Sequence, residues 1–85
     1  MLVILKAKAP PLNGYLHACV FPFDATWEKL IDVPLASKDS IEGRDLLVGA
    51  KAGDHFKAEI ETNPSEGPPI TNTIKVRKVL SRITV

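Results

Sequence analysis

The sequence has few of the side chains that form disulfides and metal sites. It contains one cysteine, Cys19, and two histidines, His17 and His55. A single cysteine excludes an internal disulfide and is typical of proteins from a reducing compartment. His17 and Cys19 are two positions apart, so on a strand they share a face and could supply two zinc ligands, with a third from His55 or a carboxylate. A histidine beside a buried thiol is more often structural, and we expect no metal and no cofactor.

Long hydrophobic runs and a large net charge are also missing. The first five residues are apolar, but lysines follow them, which is too short a run and the wrong charge order for a secretion signal. No stretch approaches the length of a membrane span, so we expect no membrane partner and a cytoplasmic location. The formal net charge of +1 predicts no strong overall attraction to nucleic acid. The 85 residues, of which 45% are hydrophobic and 25% charged, predict a single β-rich domain over 1–85.

The usual catalytic arrangements are missing as well. Cys19 could act as a nucleophile with His17 as its base, but nothing marks an oxyanion hole. The serines lie outside any nucleophile elbow, and the glycines are scattered singly rather than in a phosphate-binding loop. Glu59 and Glu61 would face the same way on a strand, but paired carboxylates on a solvated face are seldom catalytic. We therefore predict that the protein is not an enzyme.

What the sequence does contain is short alternating segments separated by turn residues. In "GDHFKAEIE", residues 53–61, the apolar residues Phe56, Ala58 and Ile60 alternate with polar ones. This period of two predicts a strand with one apolar and one solvated face, and His55 begins the solvated face. Strands are also predicted at 2–8, 15–23 and 73–85, the first two joined by a turn at Asn13-Gly14 and the last bulged near Lys78, where the apolar phase slips.

Residues 24–35 fit either a short helix or a strand, and we favour the strand, with Pro34 placing it near a sheet edge or a bulge. Residues 37–45 could form a helical turn, 45–50 a short strand or a helix end, and 62–72 a loop. The predicted fold is all-β: a small five- to six-stranded barrel, OB-like, or a sandwich, with at most one short helical turn. A partly open five-stranded barrel with a helical turn between its third and fourth strands fits this order.

Charge is distributed unevenly along the chain. All ten acidic residues lie between Asp24 and Glu66, where the balance is −5, and the two ends together carry +6. If the first and last strands are neighbours in the sheet, their basic side chains form one patch. Such a patch with exposed aromatic side chains is what binds single-stranded nucleic acid, whereas edge lysines can also simply prevent aggregation. The candidate nucleic-acid-binding residues are Lys6, Lys8, Lys75, Arg77 and Lys78.

Four segments resemble the small filamentous-phage single-stranded DNA-binding proteins: "GYLHA", a strand ending in "VPLA", then "AGDHFKAEI", and the basic "NTIKVRKVL". The resemblance covers roughly residues 14–80. It implies a five-stranded barrel, a homodimer, and binding to single-stranded DNA without sequence preference. The chain departs from that family at "APPLNG", where the family has a long basic and aromatic hairpin, and at 62–72, where no aromatic residue is present.

The alternative hypothesis is a protein-binding module, such as an inhibitor, an immunity factor or an antidefence protein. Its contact surface would be an edge strand or the acidic middle section, residues 24–66, whose charge suits a basic target. Single-stranded nucleic acid and a protein partner are therefore the two predicted partner classes.

Overall fold

The sheet is a single antiparallel layer curled into a half-barrel. The computed structural model describes residues 1–35, 41–62 and 74–83. Within these residues the strands are β1 (Leu2–Ala7), β2 (Tyr15–Pro22), β3 (Lys29–Pro34), β4 (His55–Thr62) and β5 (Ile74–Ile83), and the helix is α1 (Asp45–Val48). The strand order is β3-β2-β1-β4-β5, so the all-β barrel prediction, with one helical turn between the third and fourth strands, is confirmed.

The β1–β2 hairpin is set by its turn chemistry. Asn13 and Gly14 both have positive φ, 52° and 80°, which these two residue types tolerate best. The peptide groups of Leu12 and Tyr15 exchange two hydrogen bonds, of 2.9 and 3.0 Å, across the turn. This closure fixes the register in which Lys6 lies opposite Cys19 and Ile4 opposite Phe21.

The core lies on the concave side of the sheet. Alternate residues of each strand point into it, and Leu5, Leu16 and Phe56 are fully buried there. Leu47 of α1 closes the core, and Trp27 packs against its margin. The apolar face predicted for residues 55–61 is therefore the inner face of β4, as its alternation indicated.

The strand interpretation of residues 24–35 is confirmed for 29–34, whereas 24–28 form no strand. β3 is an edge of the sheet, as Pro34 indicated, and the bulge predicted in the fifth strand is also confirmed. In the pairing of β4 with β5 the register shifts between Lys57 and Ala58 and again between Glu59 and Ile60, so β5 is bulged on the far side of Val79 and next to Lys78. The helical turn expected at 37–45 is found instead as α1, slightly later, and the loop expected at 62–72 lies almost entirely outside the described residues.

The free edge of β5 is partly covered by the chain before α1. Glu42 forms a parallel bridge with Lys78, donating its N–H to the carbonyl of Arg77 and accepting one from Val79. Gly43 follows with a φ of +77°, and a Cβ there would come within 2.2 Å of the Val79 carbonyl oxygen. A glycine is therefore required where this segment, the edge strap (residues 41–44), crosses β5.

Across the open side of the half-barrel, β3 and β5 face each other over a cleft of about 190 Å³ lined by Ile31, Val33, Ile74 and Val76. Within the described ranges, no helix has both the length and the apolar character needed to span a membrane.

Candidate nucleic-acid interface

The predicted basic residues do not form one patch. β1 and β5 are not neighbours, because β4 pairs with both of them. Lys6 and Lys8 are thus separated from Lys75, Arg77 and Lys78 by a strand whose solvated face carries Glu59 and Glu61. The expectation of a single first-and-last-strand patch required adjacent strands, and the sheet order corrects it.

The cations of β5 lie next to carboxylates. Arg77 donates from Nε to Glu61 at 2.5 Å, and Lys78 Nζ lies 3.8 Å from Glu42. Lys75 occupies the position opposite Glu61 in the register. Because the acidic middle of the chain pairs directly with its basic end, the charge asymmetry of the sequence is compensated in the fold.

Lys6 and Lys8 lie on the other half of the sheet. We call the convex side, opposite the core, the outer face. There Lys6 is opposite both Cys19 and His55, and the Lys8 N–H donates to the His17 carbonyl. Lys57 extends this basic row on β4, opposite Ile4. Among the described residues, no carboxylate forms an ion pair with Lys6, Lys8 or Lys57.

Aromatic side chains lie beside these lysines. Tyr15 and Phe21 are on the outer face of β2, and Phe23 continues the same alternation just beyond the strand. Tyr15 and Phe23 are each 52% exposed, and Phe21 is half-buried. Phe56, by contrast, is in the core, as expected. The sequence signal for this site was the odd-numbered face of β2, because a strand with two apolar faces is expected to be central in a sheet or covered on both sides. β2 is central, and its odd-numbered face is covered only in part.

Aliphatic side chains complete the surface. Leu2 and Leu30 are 41% and 53% exposed, and Ile4 is half-buried beside Phe21. We call Leu2, Ile4, Phe21, Phe23 and Leu30 the outer patch. Exposed apolar side chains that lie together in this way often mark a contact surface.

His17 and Cys19, the candidate zinc and nucleophile residues, are held in other ways. The Nδ1 of His17 lies 2.9 Å from Oδ1 of Asp32, directly opposite on β3. Cys19 is only 8% exposed, and burial, aided by the Glu28 carboxylate, raises the pKa of its thiol above the ordinary value. A covered, protonated thiol is a poor nucleophile and a poor metal ligand.

His55 differs from its prediction in exposure. It begins β4 on the outer face but is half-buried, and its Nδ1 is buried without a hydrogen-bond partner in the described part of the chain. No group of three potential metal ligands comes together among the described residues. That the protein lacks a metal, a cofactor and a catalytic activity stays a prediction.

The exposed aromatic and basic residues on the outer face of β1 and β2 are therefore the candidate binding site. No protein-family model, curated protein or solved structure matches the chain.

Proposed function

We propose that the protein is a non-enzymatic binding module that takes single-stranded nucleic acid on the outer face of β1 and β2. The observation that supports this is the exposure of Tyr15 and Phe23, with Phe21 between them, on the strand adjacent to Lys6 and Lys8. Single strands are bound by cations that follow the phosphates and by aromatic rings on which bases stack. Both parts are present on one face.

The spacing of the side chains suits a strand that runs along β2. Phe21 and Phe23 are two residues apart, a separation of about 6.5–7 Å where a backbone is extended. Each stacked base contributes about 1–3 kcal/mol to binding. Every base has a stacking face, so this surface would tolerate any sequence.

The barrel fold is compatible with this proposal. Partly open five-stranded barrels often bind oligonucleotides on the face of their second and third strands, which shares β2 with the surface proposed here. Shared architecture is only an analogy, because one fold supports many functions. A secondary contact remains possible at β5, because β5 is next to β4, the strand that carries Lys57. Its candidate residues are Lys75, Arg77 and Lys78. A cytoplasmic location belongs to the same proposal, supported by the single reduced thiol.

Fluorescence anisotropy of a labelled single-stranded oligonucleotide tests the proposal. We expect binding at low salt that weakens as salt is added, and similar affinity for unrelated sequences. The double variant Tyr15→Ala, Phe23→Ala should bind about tenfold or more weakly, because it removes two stacking surfaces. The matched control is Leu46→Ala, Val48→Ala, which truncates two exposed side chains of α1. If the unmodified protein gives no anisotropy change at low salt, the proposal is wrong.

A protein partner is the second candidate, supported by the aliphatic half of the outer patch. Leu2, Ile4 and Leu30 offer nothing to a phosphate or a base edge, but would pack against apolar side chains. The acidic middle section is a weaker contact candidate, because Asp54, Glu61 and Glu42 face cations of β5. An affinity pull-down with the wild-type protein and with Leu30→Glu separates the two classes. The second candidate is supported if the wild-type protein captures one protein in stoichiometric amount, the variant does not capture it, and the wild-type protein binds no oligonucleotide.

A further inference from the structure

We propose that a hollow at the end of the outer face next to the β1–β2 turn binds a guanine base. This turn hollow has a volume of about 340 Å³, and its lining includes Pro10, Leu12, Tyr15, His17 and Asp32. Its volume is within the range of small-molecule pockets, about 300–1,000 Å³. Guanine within a strand rests on the proposed nucleic-acid binding as well, because Tyr15 belongs to both sites.

Tyr15 offers a stacking surface in the turn hollow. It lies on the outer face of β2 and is 52% exposed. Its peptide groups exchange two hydrogen bonds with those of Leu12, so the turn holds the residue in place before a ligand arrives. A group that is already positioned loses little conformational freedom on binding. Stacking on this ring accepts any base, so a second group has to supply the choice between bases.

The carboxylate of Asp32 is that second group. Asp32 lies directly opposite His17, and the Nδ1 of His17 is 2.9 Å from its Oδ1. An ionised carboxylate only accepts hydrogen bonds, so the proton of this bond is on Nδ1, and Nε2 of a neutral ring is a further acceptor. Within the described part of the chain, the second oxygen, Oδ2, has no hydrogen-bond donor. The turn hollow therefore presents acceptors and calls for a ligand with donors.

The register places the stacking ring and the carboxylate at a suitable separation. His17 is two residues from Tyr15 on β2, and Asp32 pairs with His17 on β3, so Tyr15 and Asp32 are diagonal neighbours. Diagonal neighbours on adjacent strands are about 7–8 Å apart. A base that stacks on the ring of Tyr15 can thus direct its edge towards Asp32.

Guanine is the base whose edge best matches a carboxylate. In a single strand the bases expose their Watson–Crick edges. Guanine has two adjacent donors there, N1–H and the N2 amino group, and these can bond to both oxygens of one carboxylate. Adenine and cytosine have an amino donor beside a ring-nitrogen acceptor, and thymine has one N–H between two carbonyls. Each of these three bases would therefore place an acceptor against Asp32.

An arginine side chain of a protein partner is the other planar group with suitable donors. The charges beside the carboxylate favour a nucleotide instead. The Lys8 N–H donates to the His17 carbonyl, so Lys8 extends the Asp32–His17 pair across to the end of β1. Its positive charge repels a guanidinium and attracts the phosphate of a nucleotide.

The preference for guanine concerns one position of a bound strand. Phe21 and Phe23 stack on any base, and unrelated mixed sequences all contain guanine, so such sequences would still bind alike. The preference becomes visible only when guanine is removed from the strand.

Fluorescence anisotropy with four labelled strands of equal length tests the turn hollow. One is an oligothymidylate, and the others carry dG, dA or deoxyinosine at the same spaced positions. We expect the dG strand to bind about five- to tenfold more tightly than the dA strand, the low end for a bidentate pair, because the Asp32 side chain is 64% exposed. Deoxyinosine lacks the N2 amino group and should lose most of this gain. Equal affinity for all four strands would overturn the guanine site and leave the proposed function intact.

Asp32→Asn tests the assigned carboxylate. It should bring the dG and dA strands to within about twofold of each other, because an amide offers one acceptor where the carboxylate offers two. Loss of a negative charge strengthens the binding of any strand, so the ratio of the two affinities is the readout. Asp45→Asn makes the same change on α1, outside the hollow, and should keep the preference. Circular dichroism establishes that each variant folds, and if Asp32→Asn does not fold, the deoxyinosine strand decides. A preference that survives in folded Asp32→Asn would overturn the site.

Free guanosine monophosphate distinguishes a base in a strand from a free nucleotide. Its addition to ¹⁵N-labelled protein should shift the amide signals of Tyr15, His17 and Asp32 in NMR spectra, and adenosine monophosphate should shift them less. These shifts without strand binding would refute the proposed function and assign the hollow to free guanine nucleotides. A dG preference without these shifts would assign it to guanine within a strand. Shifts caused by N-acetylarginine amide and not by guanosine monophosphate would assign the hollow to an arginine of a protein partner and overturn the guanine site.

Discussion

The two halves of the sheet share a core but differ on their outer faces. On β4 and β5 the outer face is charged, and its acids and bases meet: Glu61 with Arg77, and Glu59 opposite Lys78. On β1 and β2 the outer face is largely apolar and aromatic, and within the described residues Lys6 and Lys8 form no ion pair with a carboxylate. The acidic and basic side chains of β4 and β5 neutralise one another, so this surface is stable in water without a ligand. The apolar half gains free energy only when something covers it.

Position in the sheet explains part of this difference. β5 is an edge, and its bulges, its cations and the edge strap all keep another strand from pairing there. β2 is internal, so its backbone is already paired on both sides and its side chains alone face a partner. Edge protection, which competed with nucleic-acid binding as an explanation for the basic residues, suits β5 better than β1.

The largest expected effect contrasts two phenylalanines. Phe56 is fully buried in the core, and Phe56→Ala should reduce the free energy of unfolding by about 3–5 kcal/mol, which would unfold a domain this small or nearly so. Phe21→Ala, on the outer face of the neighbouring half, should cost about 1 kcal/mol, because its ring is only partly covered. Urea denaturation of both variants measures the difference. Equal losses would mean that the outer face is part of the core.

The next effect concerns the edge strap. Gly43→Ala should lower the free energy of unfolding by about 1–3 kcal/mol, because its methyl group meets the Val79 carbonyl and its φ is positive. Gly49→Ala is the matched control, since a Cβ at Gly49 meets nothing within 4 Å and its φ is negative. Thermal unfolding of the two variants provides the comparison. A neutral Gly43→Ala would mean that the strap does not hold the edge of β5.

The strands could be predicted from the sequence because the signals are local. Alternation located β4, the phase slip located the β5 bulge, and Asn13-Gly14 located the hairpin turn. The pairing of β4 with β1 could not be predicted in this way. It joins residues as far apart in sequence as Leu2 and Glu59, and the alternation within a strand does not specify its neighbours. The single basic patch required β1 and β5 to be neighbours, and β4 separates them.

The candidate site on β2 was missed for a different reason. Tyr15 and Phe21 alternate with Leu16, Ala18 and Val20, so both faces of the strand are apolar. That composition is typical of a strand that is central or covered on both sides; β2 is central, but only its inner face is covered by the core. When both faces of a strand are apolar, the second face is either buried under another layer or exposed as a contact surface. The exposed fraction of its side chains in the structure distinguishes the two cases.

A smaller effect separates the lysines of the two halves. Lys6→Ala with Lys8→Ala should reduce the slope of log affinity against log salt by about 1.4, because each phosphate contact on a single strand contributes about 0.7. Lys75→Ala, Arg77→Ala and Lys78→Ala together should reduce it by less, although they remove more charge, because carboxylates of β4 and the strap lie beside them. Anisotropy titrations at several salt concentrations measure both. A loss of about 2 for the triple variant would instead place the ligand on β5, and greater aggregation of that variant in light scattering would show that its cations protect the edge.

The smallest effect tests the charged half through Asp54, whose carboxylate joins the start of β4 to the end of β5. It accepts a hydrogen bond of 2.9 Å from the Lys51 backbone N–H and one of 2.8 Å from the Arg82 guanidinium. Both groups lower the pKa of Asp54 below its ordinary value, and the backbone N–H contributes most. Because the folded pKa is the lower one, the stabilisation is complete above the ordinary carboxylate pKa of about 3.9 and is lost as the pH falls through the folded pKa.

Asp54→Asn keeps an acceptor for the N–H but removes the charge, so it should be less stable than wild type at neutral pH and equally stable in strong acid. Asp45→Asn, an exposed matched change on α1, should not reproduce this convergence. Urea denaturation at a series of pH values, followed by the fluorescence of Trp27, measures the gap, and a gap that persists below the folded pKa would exclude ionised Asp54 as its cause.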